Sequence, residues 1–479
     1  MKSQQNDPTD MTKSLPRELP LLIDQLVDHA LNTRFESFDH EVVEAARMRL
    51  VDTLGCTIGG ANASGNLAFL DLIRSWGGTS QATILSHGDR VPLQYAAMMN
   101  SLMARSFDFE VAGPEPEGVN AGKMVGHVCS TTEPTALSVA EFTRASGKEL
   151  LAAVILGGDI GARMAVADEF NFDRSFEVCG TANAFGATAL VGRLMGLNHQ
   201  QLVNAFGILL NLMAGSFQSL WDGVHTFKLP GAMAAFNAVL AVQLSLRGFT
   251  GARDPLTSQQ GYFALYGNNP KPENALVDLG RVYYVKGMHK LHPSCYGNHN
   301  PIESALEIVR SHAFDLADVE SVTLEVPPNR IKHFLNQNVE ADDCQPRSLF
   351  SIPYGVANAL MRKEVRIEHY TDEYTRVPAL LDLVRKVRLV PNLPMGKNHA
   401  GKLTVNLKNG QAFSAYRESP LGWKDNPVTA GQVWDKYWRN IDFSATVSRE
   451  NAAIALGMLE RLEEVHDVTS LASCLVRAG

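Results

Sequence analysis

A mainly helical fold, in which a large all-helical domain carries an inserted smaller α+β domain, is what this 479-residue sequence predicts. Three observations point there. Apolar residues recur at helical spacing from residue 20 to about 270, they alternate in strand period within 284–421, and helical spacing returns after Pro427. The division expected is a disordered polar start (1–19), a first helical part (20–283), the α+β insert (284–421) and a second helical part (422–479).

In DHEVVEAARMRLVDTLG, Asp39 is the expected N-cap, Val43, Ala46, Leu50 and Leu54 form one apolar face, and Gly55 is the expected stop. Stretches 134–166 and 181–217 mix Ala and Gly with Leu, so helix axes can approach closely and bury more than one face. SVTLEV (321–326) alternates Val322, Leu324 and Val326 as a strand does. KLTVNLKNGQAFSAYRE sets Asn409 and Gly410 between two alternating runs, which predicts a hairpin with a type I′ turn. Ser448 is the expected cap of a helix over RENAAIALGMLERLEEV, suited to docking on the first helical part.

Composition narrows the function. A formal charge of -8 arises from 43 basic and 51 acidic residues scattered along the chain, with no basic stripe to follow a phosphate backbone, so nucleic acid is not expected as a partner. Six cysteines stand far apart and never as CxxC, which reads as reduced thiols. The polar start MKSQQNDPTDMTKS and the absence of 18 uninterrupted apolar residues predict a soluble, cytoplasmic protein with no membrane partner.

Three stretches carry chemistry. HKLHPSCYGNH (289–299) offers His289, His292, Cys295 and His299 at spacings that zinc accepts, but Pro293 breaks the regular spacing that would align them. Metal-free acid/base chemistry at Lys290 is the alternative; incidental loop histidines would leave that lysine unexplained. In ARSFDFE (104–110), Asp108 lies between two phenylalanines, where an ionised carboxylate needs a partner, and a buried helix-end acid is the plain reading. A Gly/Pro-rich loop follows, a wall or lid in character, and His127 opens the next helical run. In VHTFKLPGAMAAFNAVLA, Lys228 precedes a small-residue helix, where a bound anion would offset its clash with the helix dipole; a solvated surface lysine fits as well.

The ordered set FDFE, His127 with Pro134 seven residues on, FKLPGAMAA, KLHPSCYGNHNPIESAL, RSLFSIPYGVANAL and SPLGWKDNP resembles the MmgE/PrpD family, over residues 20–470. That family includes 2-methylcitrate dehydratase, cis-aconitate decarboxylase and iminodisuccinate epimerase. The resemblance implies a helical domain built from both chain ends, an α+β lid domain between them, a homodimer, and a site with neither metal nor cofactor.

By position, the resemblance assigns Lys290, Cys295 and His299 to the cleft, Asp108 and His127 to catalysis with Lys290, and Lys228 to substrate binding. Lys290 and Lys228 would neutralise a carboxylate, and His127, oriented by Asp108, would move the proton. His289 and His292 are assigned to the lid surface. The sequence departs from the family at an acidic cluster reduced to Asp108 and Glu110, and at Glu177, where a histidine is expected. Glu177 either lines the cleft as a substrate-binding residue or points to solvent. The expected substrate is a small di- or tricarboxylate, and the expected reaction a cofactor-independent dehydration or decarboxylation. The alternatives are epimerisation or isomerisation alpha to a carboxylate, and carboxylate binding without turnover.

Overall fold

The structure, a computed structural model, describes residues 21–170, 176–396 and 399–477, so the expected disordered start lies outside the described residues. Ten helices open the chain: α1 (Leu22–Asn32), α2 (His40–Gly59), α3 (Asn66–Trp76), α4 (Leu93–Arg105), α5 (Cys129–Thr143), α6 (Gly147–Ala167), α7 (Ala182–Leu194), α8 (His199–Leu209), α9 (Gln218–Asp222) and α10 (Leu229–Leu246). A two-strand ribbon, β1 (Ala82–Thr83) and β2 (Arg90–Val91), interrupts them, and the short α11 (Tyr262–Tyr266) closes the set. Next come α12 (His299–Ser311), β3 (Val319–Glu325), α13 (Gln345–Leu349), α14 (Ile352–Arg362), α15 (Asp372–Thr375), α16 (Pro378–Val384), β4 (Val387–Val390), β5 (Gly401–Leu407) and β6 (Ala412–Arg417). The chain ends in α17 (Ala430–Ser444), α18 (Arg449–Glu460) and α19 (Thr469–Cys474).

The fold is mainly helical with one small mixed sheet, of strand order β4-β3-β5-β6. β3 pairs parallel with β4 and antiparallel with β5, and β5 pairs antiparallel with β6. Alternation in β3 buries Val322 and Leu324, with Val326 just beyond its end, as the sequence pattern requires. One apolar core runs from Ile23 to Val285 and takes in Val433 to Leu475; a second is built around Ile302 to Ala415. Phe107, Phe109 and Phe227 of the helical part belong to the second core, so the FDFE stretch lies where the two cores meet.

Two local expectations are corrected. Helix α2 runs through Gly55 to Gly59, because Gly55 serves packing: a Cβ there would stand 3.2 Å from both Cα and Cδ2 of Tyr437 on α17. At the hairpin only Gly410 has a positive φ (+86°), while Gly410 N donates to Leu407 O (2.9 Å). The loop is therefore the three-residue form, Lys408 and Asn409 in an ordinary turn followed by a left-handed glycine, and not type I′. The Ser448 cap forms as expected, its side chain accepting from Asn451 N.

Two helical stretches, Gly147–Ala167 and His225–Leu246, are long and apolar enough to cross a membrane by length and composition. The first's apolar window is wholly buried, as in a core helix; only 56% of the second's is covered, leaving Met233 40% exposed.

Candidate active site

The site begins where α4 stops. Ser106 Oγ donates to Leu102 O (2.8 Å) and accepts from Asn66 Nδ2 (2.8 Å), fixing the helix end. Asp108 then adopts φ +47°, a left-handed conformation that L-residues seldom take and that aspartate tolerates better than most. Buried Phe107 and Phe109 anchor the turn on either side.

Two further segments are brought against this turn by backbone contacts. Ala112 and Met288 exchange hydrogen bonds (3.1 and 2.8 Å), so the two stretches run antiparallel and Lys290 reaches back to Asp108. Gly113 N donates to Gly126 O (2.8 Å) and Val128 N to Gly113 O (3.2 Å), closing the base of the intervening loop beside His127. The His127 carbonyl is held by Asn183 Nδ2 (2.9 Å) and Ser130 Oγ (3.0 Å), so its backbone is fixed just ahead of α5.

The side chains form a compact charge cluster. Lys290 Nζ donates to Asp108 Oδ1 (2.9 Å) and Asp108 O (2.5 Å). Arg105 Nη1 donates to the same Asp108 oxygen and lies 3.3 Å from Glu110 Oε1. His127 Nδ1 stands 2.9 Å from Glu110 Oε1 and Nε2 stands 3.6 Å from Asp108 Oδ1. The first of these is a close polar contact and not an aligned hydrogen bond, since Nδ1 has no hydrogen-bond partner among the described residues. Glu110, expected only as the remnant of an acidic cluster, is thus the nearer neighbour of His127. Asp108, Glu110 and Lys290 have no exposure, whereas 17% of the His127 side chain is open to solvent.

Charges set the protonation states. Burial opposes ionisation of Asp108, but Arg105 and Lys290 outweigh it and hold the carboxyl well below its usual range. Glu110 is likewise lowered, burial being overcome by Arg105 and His127. Burial, reinforced by the Arg105 and Lys290 charges, lowers His127, which leaves its imidazole neutral at pH 7 and able to accept a proton.

Glu177 is buried (4% exposed), which removes the solvent-facing alternative; its Oε2 accepts from Cys179 N (3.1 Å). Burial pushes its carboxyl up to about 7, against the pull of Arg105. Cys295, whose thiol is raised by burial, and His299, lowered well below its ordinary value by burial and by His292 and Lys290, also feel the Asp108 and Lys290 charges. His299 Nε2 is buried without a partner among the described residues.

Lys228 is not drawn into this group. Buried at 2% exposure and so no surface lysine, it donates to Ser64 O (2.8 Å) and Asn66 Oδ1 (2.6 Å), and burial brings it down to about 7. Its neighbour Phe227 makes the contact instead, with Arg105 Cζ 5.3 Å from the ring centre. His289 and His292 do not lie on the surface: His289 Nδ1 meets Asp52 Oδ2 at 2.8 Å, and His292 Nε2 meets Glu303 Oε1 at 2.5 Å, both rings being buried. Carboxylates at Asp52 and Glu303 give these imidazoles partners inside the protein, information that local spacing does not contain.

Ligand atoms of Asp108, Glu110 and His127 lie within 4.8 Å of one another, close enough to hold a metal ion. Arg105 and Lys290 already answer the two carboxylates, however, and a dication would sit against both cations. Arg105 was missed at the sequence level, although an arginine three residues before an acid at a helix end was a readable pairing signal. Comparison with known families matches residues 24–275 to the MmgE/PrpD N-terminal domain and residues 292–460 to the MmgE/PrpD C-terminal domain. No curated protein matches the chain.

Proposed function

This chain belongs to the MmgE/PrpD family, and on that premise we propose that it is a cofactor-independent lyase of small di- or tricarboxylates. The observation that carries the reading is the buried Arg105, Asp108, Glu110, His127 and Lys290 cluster with a neutral, partly open imidazole. His127 takes the proton from a carbon next to a carboxylate. Arg105 and Lys290 supply the positive field in which the resulting carbanion can form. Glu177 holds a proton near neutral pH and gives it to the departing hydroxyl, so that water leaves and a double bond forms. Asp108 Oδ2 and Glu110 Oε2, buried acceptors with no donor among the described residues, suit a substrate that carries hydroxyl or N–H groups. Dehydration of a 2-methylcitrate-like hydroxy acid therefore stands ahead of decarboxylation.

Epimerisation alpha to a carboxylate is the second reading, favoured by the same two proton carriers: one can remove the proton and the other return it on the opposite face. Incubation with a panel of hydroxy-, amino- and unsaturated di- and tricarboxylates in deuterated water, followed by NMR, separates them. A lyase consumes substrate, and an epimerase exchanges the alpha proton without net loss. A protein that does neither with any member of the panel binds carboxylates at most, and the proposal falls.

A further inference from the structure

The two carbonyls at the left-handed turn are each held by a buried lysine, and the second lysine comes from the far end of the chain. Lys290 Nζ donates to Asp108 O, and Lys436 Nζ, on α17, donates to Phe109 O (2.5 Å) while lying 4.1 Å from the centre of the Phe109 ring. Asp52 of α2 answers the Lys436 charge at 2.7 Å. Its other oxygen meets His289, the residue before Lys290. Burial works against ionisation of Asp52, but Lys436 and His289 outweigh it and keep the carboxyl lowered. Asp52 is unexposed and Lys436 is 2% exposed, so neither reaches the open side of His127.

We infer that Lys436 and Asp52 are positioning residues, which hold the Asp108–Phe109 backbone and the Lys290 segment in the one register that sets Asp108 and Glu110 against His127. A buried ion pair alone would not need to reach a backbone carbonyl. Here Lys290 grips the carbonyl of the residue with the one unfavourable φ of the turn, Lys436 grips the next carbonyl along, and the Asp52 carboxylate ties that second grip to the segment bearing Lys290. Released from Phe109 O, the turn can relax toward an ordinary φ, and a displacement of about 1 Å at Glu110 is enough to lower a rate by roughly 100-fold. The kinetic consequence rests on the proton-transfer reading above; the structural one does not.

The test uses Lys436→Met and the double variant Asp52→Asn/Lys436→Met, which removes both buried charges so that no lone carboxylate is left inside. Three quantities are read: the melting temperature, the imidazole NMR resonance of His127 in histidine-labelled protein (assigned by its loss in His127→Gln), and kcat and KM on the carboxylate found with the panel. Expected is a double variant more stable than the single one, in which the His127 resonance stays displaced and kcat stays about 10- to 100-fold down with KM within about twofold. A double variant with the wild-type resonance and kcat overturns the inference, as does one that loses the fold itself. Should the wild-type protein turn over no carboxylate, the proton-transfer reading fails. The His127 resonance then decides alone: unmoved in the folded variant, it overturns the positioning role.

Discussion

Two buried clusters in this molecule are made of the same parts and end up chemically opposite. In the helical bundle, Asp159 Oδ2 meets His29 Nε2 (2.9 Å) and Arg163 Nε (2.8 Å), and Asp159 Oδ1 accepts from Tyr284 N (2.8 Å). Arg163 spends three of its four remaining donors on the carbonyls of Ala275, Val277 and Val282 and lies 4.6 Å from the Tyr284 ring centre. Around His127, by contrast, Asp108 Oδ2, Glu110 Oε2 and His127 Nδ1 are buried with no hydrogen-bond partner among the described residues. Burial and opposite charge are common to both, so neither marks a site. What differs between them is unspent hydrogen-bond capacity, which costs an interior free energy unless water or a ligand pairs with it.

The largest contrast is kinetic. His127→Gln should lower turnover by about 10²- to 10⁴-fold with little change in melting temperature, whereas His29→Gln should leave kcat alone and cost about 1–3 kcal/mol of stability in denaturant titration. Equal kinetic effects would erase the distinction. Next is stability: Asp159→Asn strips Arg163 of its only anion among the described residues and should cost about 3–5 kcal/mol. Asp108→Asn should cost somewhat less, since Arg105 keeps Glu110, while Lys290 loses its ion-pair partner but keeps the Asp108 carbonyl and the field of Glu110. The smallest effect concerns specificity and pH. Glu177 gains its charge as pH rises through about 7, so repulsion of a third substrate carboxylate grows over that window. The kcat/KM ratio of tricarboxylate to dicarboxylate should fall on the order of tenfold from pH 6 to pH 8, and stay flat in Glu177→Gln, whose turnover of both substrates drops with the loss of the proton donor. A ratio that falls equally in the variant assigns the pH effect to another group.

The fold class was legible because period is a local property: helical spacing, strand alternation and a Ser cap each act within a few residues. Gly55 misled because its role is to admit Tyr437, which is remote in sequence. The Asn409-Gly410 pair correctly marks the hairpin, but the turn type depended on a single backbone angle. At the site, the stretches holding Asp108, His127 and Lys290 stood out through acids among aromatics and a lysine among histidines. Their pairings did not, since Glu110 against His127 and Asp52 against His289 and Lys436 are set by tertiary contact, while the local Arg105–Asp108 pair went unread. Lys436 had a visible signal that went unread, a lysine on the buried stripe of Val433, Tyr437, Asn440 and Ile441.

The cluster at the turn is also a record of the order in which the chain is made. Lys290 is 182 residues from Asp108, and Lys436 is 384 from Asp52 and 327 from Phe109. Closing such distances adds little to the entropy already lost in folding, because that term grows only with the logarithm of loop length. Time is the larger consequence. At about 5–20 residues per second, roughly 15–65 seconds of synthesis separate the turn from the lysine that grips it. Early in that interval the growing chain carries Asp108, Glu110 and His127 with only Arg105 to answer the two acids; Lys290 joins 182 residues after Asp108, and Lys436 comes last. Arg105 and Lys290 can balance Asp108 and Glu110 before α17 emerges. Asp52 and the Phe109 carbonyl wait for Lys436, so the helix returning from the far end of the chain is the last part to join.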